Sequence, residues 1–247
     1  MAKIAVIIPA AGQSTRFGGI EKKPFVSLDG RPVWQRSAEL FWNRPEVSRV
    51  YLVISPEDRD EFRSRFAHML AFTNAQVVAG GAERFESVAN ALAELSDDVD
   101  LVAIHDAVRP LTPPRSIDAV FQAAAETGAA LLAIPLADTL KKVDSESKVV
   151  RETIPRAGLW KAQTPQVFRR DWLVAAYAAR ASFPGTITDD CQLVEALGHA
   201  VHVVQGSPVN FKITTKEDLQ LAEAILQSRT PKTDERPRLA FDDEAKW

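Results

Sequence analysis

The sequence predicts a single α/β domain whose mostly parallel sheet is covered by helices on both faces. Strand-like and helix-like segments alternate along most of the chain, as they do in successive β–α–β units. The strand-like runs are almost entirely apolar, which is typical of parallel strands that are buried on both faces. The chain has 247 residues, of which 46% are hydrophobic and 26% charged, so it is large enough to bury a substantial core.

Local patterns predict each element in turn. Runs rich in Val, Ile, Leu and Ala predict strands at residues 4–8, 49–54, 75–78, 101–104, 130–134 and 200–204. Apolar residues at helical spacing predict helices at residues 33–42, 57–70, 83–95, 116–126, 170–181, 189–197 and 216–227. These elements predict an open, Rossmann-like sheet, in which ligands bind beyond the carboxyl ends of the strands.

Two segments depart from this alternation. Residues 138–156 carry Lys-Lys-Val-Asp and Lys-Val-Val-Arg around a serine-containing turn, which predicts a polar β-hairpin arm that protrudes from the sheet. Because a lone hairpin is marginal in water, we expect the arm to pack on another surface, such as a second subunit. The chain becomes polar and proline-bearing near its end, so residues 1–228 are predicted to form the domain and residues 229–247 a mobile tail.

Composition excludes several classes of function. The formal net charge of −3 argues against a chain-wide basic surface for nucleic acid or anionic membranes. The longest apolar runs fall short of the roughly 20 residues that a membrane-spanning helix needs. Cys191 is the single cysteine, so an internal disulfide and a multi-cysteine zinc site are both excluded. The single cysteine also fits a reducing compartment, and we expect a protein that binds neither nucleic acid nor membrane.

The loop after the first strand is rich in candidate binding groups. Ala10, Ala11 and Gly12 let the backbone approach a ligand closely, and successive N–H groups in such a loop can bind anions. Arg16 offers a planar guanidinium for phosphate oxygens, and Lys23 offers a compact ammonium. The loop has neither the Gly-x-Gly-x-x-Gly dinucleotide pattern nor the Walker A pattern, so neither type of phosphate site is expected.

Later loops add further candidates. A Gly-Gly turn after the third strand leads into a helix, and its free N–H groups, with Ser87, could recognise the edge of a base. Asp106 follows the fourth strand and is a candidate Mg²⁺ ligand, because Mg²⁺ takes most of its oxygens from phosphates and water. A structural pair with Arg109 is the alternative for this carboxylate. Lys212 is an isolated cation at another predicted strand end.

Taken in order, these motifs resemble one enzyme family. Pro-Ala-Ala-Gly-x-x-x-Arg and Lys23 are followed by Gly-Gly-x-x-Arg-x-x-Ser-Val, His-Asp-Ala-x-Arg-Pro, Thr-Pro-Gln, Thr-Asp-Asp and Phe-Lys-Ile-Thr. This set, between residues 4 and 226, closely resembles the 2-C-methyl-D-erythritol 4-phosphate cytidylyltransferases of isoprenoid synthesis. Single motifs are shared with other nucleotidyltransferases, whereas the ordered set is specific.

The resemblance implies a nucleotidyltransferase fold with a dimerising arm, in a bacterial cytoplasmic enzyme. It implies that CTP and methylerythritol phosphate react, with Mg²⁺, to give the CDP-linked alcohol and pyrophosphate. It implies that Arg16 and Lys23 are catalytic and that Asp106 lies near the metal. The implied nucleotide site comprises Ala10, Ala11, Gly12, Gly81, Ser87, Asp106 and Lys212. The implied substrate contacts are Arg109, Thr139, Arg156, Thr164 and Thr188, some of them across the dimer.

The chain departs from the family pattern in two places, where Ser14 replaces a second glycine and Val108 replaces a common alanine. Lys22 precedes Lys23, which is chosen by its spacing from Arg16. The attacking phosphate oxygen is already an anion, so no general base is needed. This agrees with four scattered histidines and no Ser/His/Asp set; we interpret His105 as structural.

Two other functions remain open from the residues alone. Another polyol-phosphate cytidylyltransferase, for example one that acts on ribitol 5-phosphate, would share the CTP half of the site and differ around the substrate contacts. A non-catalytic nucleotide-binding protein could use the same fold. The presence of both Arg16 and Lys23 argues against the latter, because binding alone does not need the full set of cations.

Overall fold

The apolar runs of the sequence form strands in the computed structural model, which describes residues 2–12, 23–183 and 185–229. The strands are β1 (Ile4–Pro9), β2 (Ser27–Leu28), β3 (Arg31–Pro32), β4 (Val47–Ile54), β5 (Ala75–Ala79), β6 (Leu101–Ile104), β7 (Ala129–Pro135), β8 (Leu140–Val143), β9 (Val150–Ile154), β10 (Trp160–Arg169) and β11 (His202–Gln205). The helices are α1 (Val33–Glu39), α2 (Arg59–Leu70), α3 (Arg84–Ala93), α4 (Pro114–Thr127), α5 (Arg170–Ala178), α6 (Cys191–Ala196) and α7 (Lys216–Arg229). All six predicted strands and all seven predicted helices are present, with ends that shift by a few residues.

Seven of these strands form one sheet in the order β11–β7–β10–β6–β1–β4–β5. The pairs β1–β4, β1–β6, β4–β5 and β7–β11 are parallel, whereas β10 runs antiparallel to both of its neighbours. The prediction of a mostly parallel sheet is therefore confirmed. The carboxyl ends of β1, β5 and β6 lie on one edge of the sheet, where the candidate loops follow.

The core lies on both faces of the sheet, because alternate side chains of each buried strand point to opposite faces. In β1, Ile4, Val6 and Ile8 belong to a cluster with α1, α2 and α4, whereas Ala5 and Ile7 belong to a cluster with α3, α5 and α6. This arrangement explains why the strand runs are continuously apolar, since neither face meets water. A smaller cluster joins α7 to β2 and to the loop after β6.

The sequence reasoning missed β10, an antiparallel strand in the middle of the sheet. Pro165 interrupts its apolar pattern, and a proline has no N–H to donate to a neighbouring strand. The structure accommodates the proline where the pairing with β7 is irregular, between Ala162 and Gln166. The strand is therefore regular on both sides of a local break, which a pattern of apolar residues does not predict.

The hairpin arm is present as predicted. Strands β8 and β9 pair with each other and not with the main sheet. The arm carries exposed apolar side chains, at Leu140, Val143, Val149 and Val150. Among the described residues, no helix is long and apolar enough to cross a membrane. The predicted tail began at residue 229, but Arg229 is the last residue of α7. Residues 230–247 and residues 13–22 lie outside the part of the chain that the structure describes.

Candidate active site

A cavity of about 220 Å³ lies where β1, β5 and β6 end. Its walls contain every residue of the nucleotide site that the resemblance implied: Ala10, Ala11, Gly12, Gly81, Ser87, Asp106 and Lys212. These residues come from four separate parts of the sequence, and the parallel strand order brings them to one edge of the sheet. Pro24, Glu83 and Arg84 also line the cavity. The structure therefore places these seven residues together, while their roles remain predictions.

The loop after β1 packs tightly on the loop after β5. A Cβ atom built on Gly80 would lie 2.5 Å from the Cβ of Ala11 and 3.0 Å from the Oγ of Ser87, so a side chain there would displace one of the two loops. The N–H of Ala10 donates to the carbonyl of Val53 at 2.8 Å and thus belongs to the sheet. Within the described part of the chain, the backbone donors left for an anion in this wall are therefore those of Ala11 and Gly12.

The loop after β5 is less rich in free donors than its glycines indicated. The N–H of Gly80 donates to the carbonyl of Ile54 at 2.8 Å, and the N–H of Gly81 donates to the Ser87 Oγ at 3.1 Å. Glu83 and Glu86 form a capping box at the start of α3, which uses the N–H of Glu83 as well. The expectation of free N–H groups at Gly80 and Gly81 is therefore wrong, because local contacts already use these donors.

Asp106 is surrounded by cations. Its Oδ2 lies 3.2 Å from Nε of Arg109 and 3.1 Å from Nζ of Lys212, and its Oδ1 lies 3.7 Å from a guanidinium nitrogen of Arg84. Burial alone would raise the pKa of this carboxyl, but Lys212, Arg84 and Arg109 outweigh it and hold the pKa well below its ordinary value. Asp106 is therefore ionised at neutral pH. Its pairing with Arg109 is confirmed, whereas its role as a Mg²⁺ ligand stays a prediction for a carboxylate that lines the cavity.

Thr164 lies beneath Asp106 and is buried. The Nε2 of His105 faces the carbonyl of Arg109 at 3.1 Å, so this nitrogen carries the hydrogen and donates. The other ring nitrogen then accepts from the Thr164 hydroxyl at 3.0 Å, and Thr164 Oγ1 in turn accepts from the N–H of Asp106 at 3.0 Å. Burial lowers the pKa of His105 to about 4, so the ring is neutral at pH 7. In this geometry Thr164 supports Asp106 from below and has no hydroxyl hydrogen to offer a ligand.

Asn210 is a residue that the sequence reasoning did not assign. It is fully buried, and its side chain accepts from Thr112 at 2.8 Å and donates to the carbonyl of Thr164 at 2.9 Å. Its own carbonyl accepts from Arg109 at 2.7 Å. The segment that carries Lys212 is thereby fixed to the loop after β6. The only indication in the sequence was that Asn210 lies two residues before Lys212, a candidate cation.

The other predicted substrate residues lie outside the cavity wall. Thr139 and Arg156 are exposed and flank the hairpin arm, and Arg156 donates to the carbonyl of Ala137. Thr188 is exposed, just before α6, and its N–H donates to Gln192 Oε1 at 2.8 Å. Arg109 does not line the cavity either, but contacts Asp106 from behind. Within one subunit, these four predicted substrate residues therefore do not share one cavity, whereas the seven predicted nucleotide residues do.

The two predicted catalytic cations are not described by the structure. Arg16, together with Ser14 and Lys22, lies within residues 13–22, and the side chain of Lys23 also lies outside the described part. The backbone of Lys23 begins a short 3-10 turn, Lys23–Phe25, and the next residue, Pro24, lines the cavity.

The donor set fits a divalent cation that arrives with a nucleotide. Among the described residues, no three His, Cys, Asp or Glu side chains form a group that could hold a metal by themselves. Mg²⁺ bound with a nucleotide needs only one or two carboxylates, because phosphates and water supply its other oxygens. Asp106 supplies one carboxylate, and within the described ranges its Oδ1 has the 3.7 Å ion pair with Arg84 and no hydrogen bond.

Comparison with known proteins points to one family. The family model described as 2-C-methyl-D-erythritol 4-phosphate cytidylyltransferase matches residues 4–228. A Rhodopirellula baltica protein of that name is 42% identical over 236 residues, covering 91% of this chain and 95% of its own length. One from Frankia casuarinae is 44% identical over 235 residues, covering 95% and 85%. The crystal structure of 4-diphosphocytidyl-2C-methyl-D-erythritol synthase from Anaerococcus prevotii superposes with a TM-score of 0.77 at 30% identity, covering 92% and 96%.

Proposed function

The chain belongs to the 2-C-methyl-D-erythritol 4-phosphate cytidylyltransferase family, and we propose that the cavity at the ends of β1, β5 and β6 is its active site. The enzyme transfers CMP from CTP to 2-C-methyl-D-erythritol 4-phosphate, giving 4-diphosphocytidyl-2-C-methyl-D-erythritol and pyrophosphate. One observation carries the placement: the seven residues expected at the nucleotide, drawn from four parts of the chain, line a single cavity.

CTP would bind with its base against the loop after β5. The Ser87 hydroxyl accepts from Gly81, which leaves its own hydrogen to donate to an acceptor on the base. Cytosine also carries an amino group, which needs an acceptor, and the carbonyl of Gly81 is the group that this residue has left to offer. The phosphates would meet the N–H groups of Ala11 and Gly12. Together these contacts favour an amino-bearing pyrimidine.

Catalysis in this site requires positioning and charge neutralisation. The 4-phosphate of the acceptor attacks the α-phosphorus in line, its oxygen forms the new P–O bond, and pyrophosphate leaves with the electrons of the bond that breaks. The attacking oxygen is already an anion, so no residue needs to remove a proton. Arg16 and Lys23 stabilise the charge around the α- and β-phosphates, and Lys212, which lines the cavity, adds a third cation.

Mg²⁺ would be held by Asp106 and by phosphate oxygens of CTP. It would supply charge neutralisation on the phosphates that react. The chain's part is to keep Asp106 ionised and aimed at the cavity. Lys212, Arg84 and Arg109 keep the carboxyl ionised, and Thr164 holds its backbone. The pair with Lys212 is exposed enough to rearrange, since 45% of the lysine side chain is accessible.

The acceptor site would be completed across a dimer. Thr139 and Arg156 lie on an arm with exposed valines and a leucine, and such a surface is expected to be covered. The arm of one subunit would bring these two residues to the cavity of its partner, opposite Thr188. The similar proteins of the same name come from bacteria, which supports the proposal that this enzyme works in the bacterial cytoplasm.

Pyrophosphate release tests this function. The purified protein is mixed with CTP, Mg²⁺ and 2-C-methyl-D-erythritol 4-phosphate, with ribitol 5-phosphate as the parallel acceptor and UTP as the parallel nucleotide. We expect release with CTP and the methylerythritol phosphate, and at least about 100-fold less with either replacement. Equal or faster release with ribitol 5-phosphate would overturn the acceptor. Bound CTP without release under any condition would support a binding protein instead.

A further inference from the structure

Arg84 occupies a position that does not favour a cation. It is the first residue of α3, where the positive end of the helix dipole repels positive charge. The helix does not need it there, since Glu83 and Glu86 already cap this end. Its side chain must therefore gain its stabilisation elsewhere, and it does so by turning into the cavity.

The guanidinium of Arg84 meets a buried carboxylate, that of Asp190. Its terminal nitrogen donates to Asp190 Oδ2 at 2.8 Å, and Asp190 is fully buried. The other oxygen, Oδ1, accepts from the hydroxyl of Tyr177 at 2.5 Å. A buried carboxylate is costly unless it is paired and hydrogen-bonded. Among the described residues, Arg84 is the cation that forms an ion pair with Asp190.

The same terminal nitrogen of Arg84 lies 3.7 Å from Oδ1 of Asp106. Its positive charge is thus shared by two carboxylates that belong to different loops. Asp106 lies on the nucleotide side of the cavity, whereas Asp190 ends the turn that carries Thr188. Gln166 of β10 anchors the same turn, because it donates to Asp189 at 3.1 Å and accepts from the N–H of Asp190 at 3.2 Å.

We propose that Arg84 is a positioning residue that holds the turn carrying Thr188 in register with Asp106. The two halves of the site are then fixed relative to one another before the acceptor binds. This role rests on the proposed function, because Thr188 and Asp106 serve the reaction only if this cavity is the active site. A lysine keeps the charge, but its ammonium is a compact, strongly hydrated point charge on a flexible stem, so it holds the buried Asp190 and Asp106 less firmly than the guanidinium does.

Three variants separate positioning from a merely structural role. Arg84→Lys keeps the charge. Arg84→Met combined with Asp190→Asn removes the buried charge pair, so the uncompensated carboxylate no longer destabilises the fold. Arg180→Met is the matched control, since Arg180 lies over the ring of the neighbouring Phe85 and donates to the carbonyl of Tyr177 at 3.0 Å. It loses the same charge at a nearby position.

The measurements are kcat and KM for each substrate, Kd for CTP alone by calorimetry, and Tm. We expect kcat/KM for the acceptor to fall by about 10–100-fold in Arg84→Lys and in the double variant, mostly because KM rises. Losses of this size are typical when a residue that orients the groups in contact with the ligand is changed. We expect Kd for CTP alone to stay within about threefold in Arg84→Lys, which keeps the charge in the cavity wall, and the control to match wild type. The double variant should keep a Tm near that of wild type.

Recovery of wild-type kcat/KM in the double variant together with its Tm would show a structural role and overturn the proposal. An unchanged acceptor KM in Arg84→Lys would overturn it as well. Failure of the proposed function is separate: it would appear as a wild-type protein that releases no pyrophosphate from CTP and methylerythritol phosphate. That result would overturn the role of Arg84 too, whereas an active wild type with normal variants would overturn the role of Arg84 alone.

Discussion

Asp106 shows how a single residue is prepared for a charged ligand. Burial and three cations act on its pKa in opposite directions, and the cations prevail. The carboxylate is therefore ionised without a metal, and the cations beside it are already gathered where phosphates would bind. Lys212 is the most accessible of these cations, with 45% of its side chain exposed, so its removal changes the local charge more than the packing and should affect turnover more than stability.

The catalytic assignment makes a direct prediction for the two cations of the first loop. Arg16→Ala and Lys23→Ala should each lower kcat by about 10²–10³-fold, since each removes a group that stabilises charge on the reacting phosphates. Steady-state pyrophosphate release measures this, with Tm as the check on folding. Lys22→Ala is the matched control, because it removes the same charge one residue earlier. A control that loses as much as Lys23→Ala would reassign the role to Lys22.

His105 makes a prediction about stability and pH. Its folded pKa of about 4 lies below the ordinary 6.5, so between these values the unfolded chain binds a proton that the folded protein does not. Stability from this group is therefore fully present above pH 6.5 and is lost as the pH falls. We expect His105 to account for about 2 kcal/mol of the decrease in unfolding free energy between pH 7 and pH 5.

Urea unfolding at the two pH values measures this contribution. His105→Gln keeps an amide near the Nε2 position but does not titrate, so its pH dependence should be weaker than that of wild type by the same amount. His68→Gln is the control, because His68 is exposed on α2. An identical pH dependence in wild type and His105→Gln would show that burial of the neutral ring is not linked to stability.

At the residue scale, the sequence predicted which side chains meet but not how they are used. Seven predicted residues line one cavity because their loops follow strands of the same sheet. That ligands bind beyond the carboxyl ends of such strands is a general rule, and the pattern of apolar runs is enough to apply it. The role of Thr164 beneath Asp106 depends on which partner its hydroxyl finds, and this is a property of packing. Arg84 belongs to the motif Gly-Gly-x-x-Arg-x-x-Ser-Val, but the sequence did not indicate its partners. The carboxylates that it contacts, Asp106 and Asp190, lie 22 and 106 positions away in the sequence.

The elements were predictable where their pattern was continuous. Apolar strands such as β1 and amphipathic helices such as α4 follow from periodicity. Strand β10 does not, because Pro165 breaks the pattern and the strand runs against its neighbours. Its position matters for the site, since it carries Thr164 beneath Asp106 and Gln166 beside the turn that contains Asp190.

The hairpin arm makes a prediction about assembly. Val143 of β8 and Val150 of β9 are directly paired and about half exposed. If a partner subunit covers their exposed halves, changing both to lysine removes about 0.8–1.5 kcal/mol of burial at each position and raises the dimer Kd by roughly 10–100-fold. Sedimentation velocity should show a dimer for wild type and a monomer for Val143→Lys combined with Val150→Lys.

The monomeric variant should also lose acceptor affinity, because Thr139 and Arg156 would no longer reach a partner's cavity. Leu221→Lys serves as the control, since Leu221 on α7 is 52% exposed and lies outside the arm. It should remain dimeric and active. A wild-type monomer with full activity, or an active monomeric variant, would contradict the completion of the site across a dimer.

For the whole molecule, the fold explains how distant segments form one site. The strand order places β1 next to β6 and two positions from β5, so their loops converge. Asn210 then ties the segment before α7 to the loop after β6, which brings Lys212 to Asp106 from more than 100 residues away. The sequence pattern predicted the parallel strands and the loops that carry the candidate residues. The hydrogen bonds of Asn210 depend on how a buried side chain packs, so the structure was needed to find them.

We propose that CMP transfer takes place in the cavity around Asp106. The most direct measurement is pyrophosphate release from CTP, Mg²⁺ and 2-C-methyl-D-erythritol 4-phosphate by wild type and by Asp106→Asn. We predict release by wild type and a loss of at least about 100-fold in kcat for Asp106→Asn, with the variant still folded. A folded Asp106→Asn protein with wild-type turnover would show that the reaction does not depend on this carboxylate, and would contradict the placement of the site.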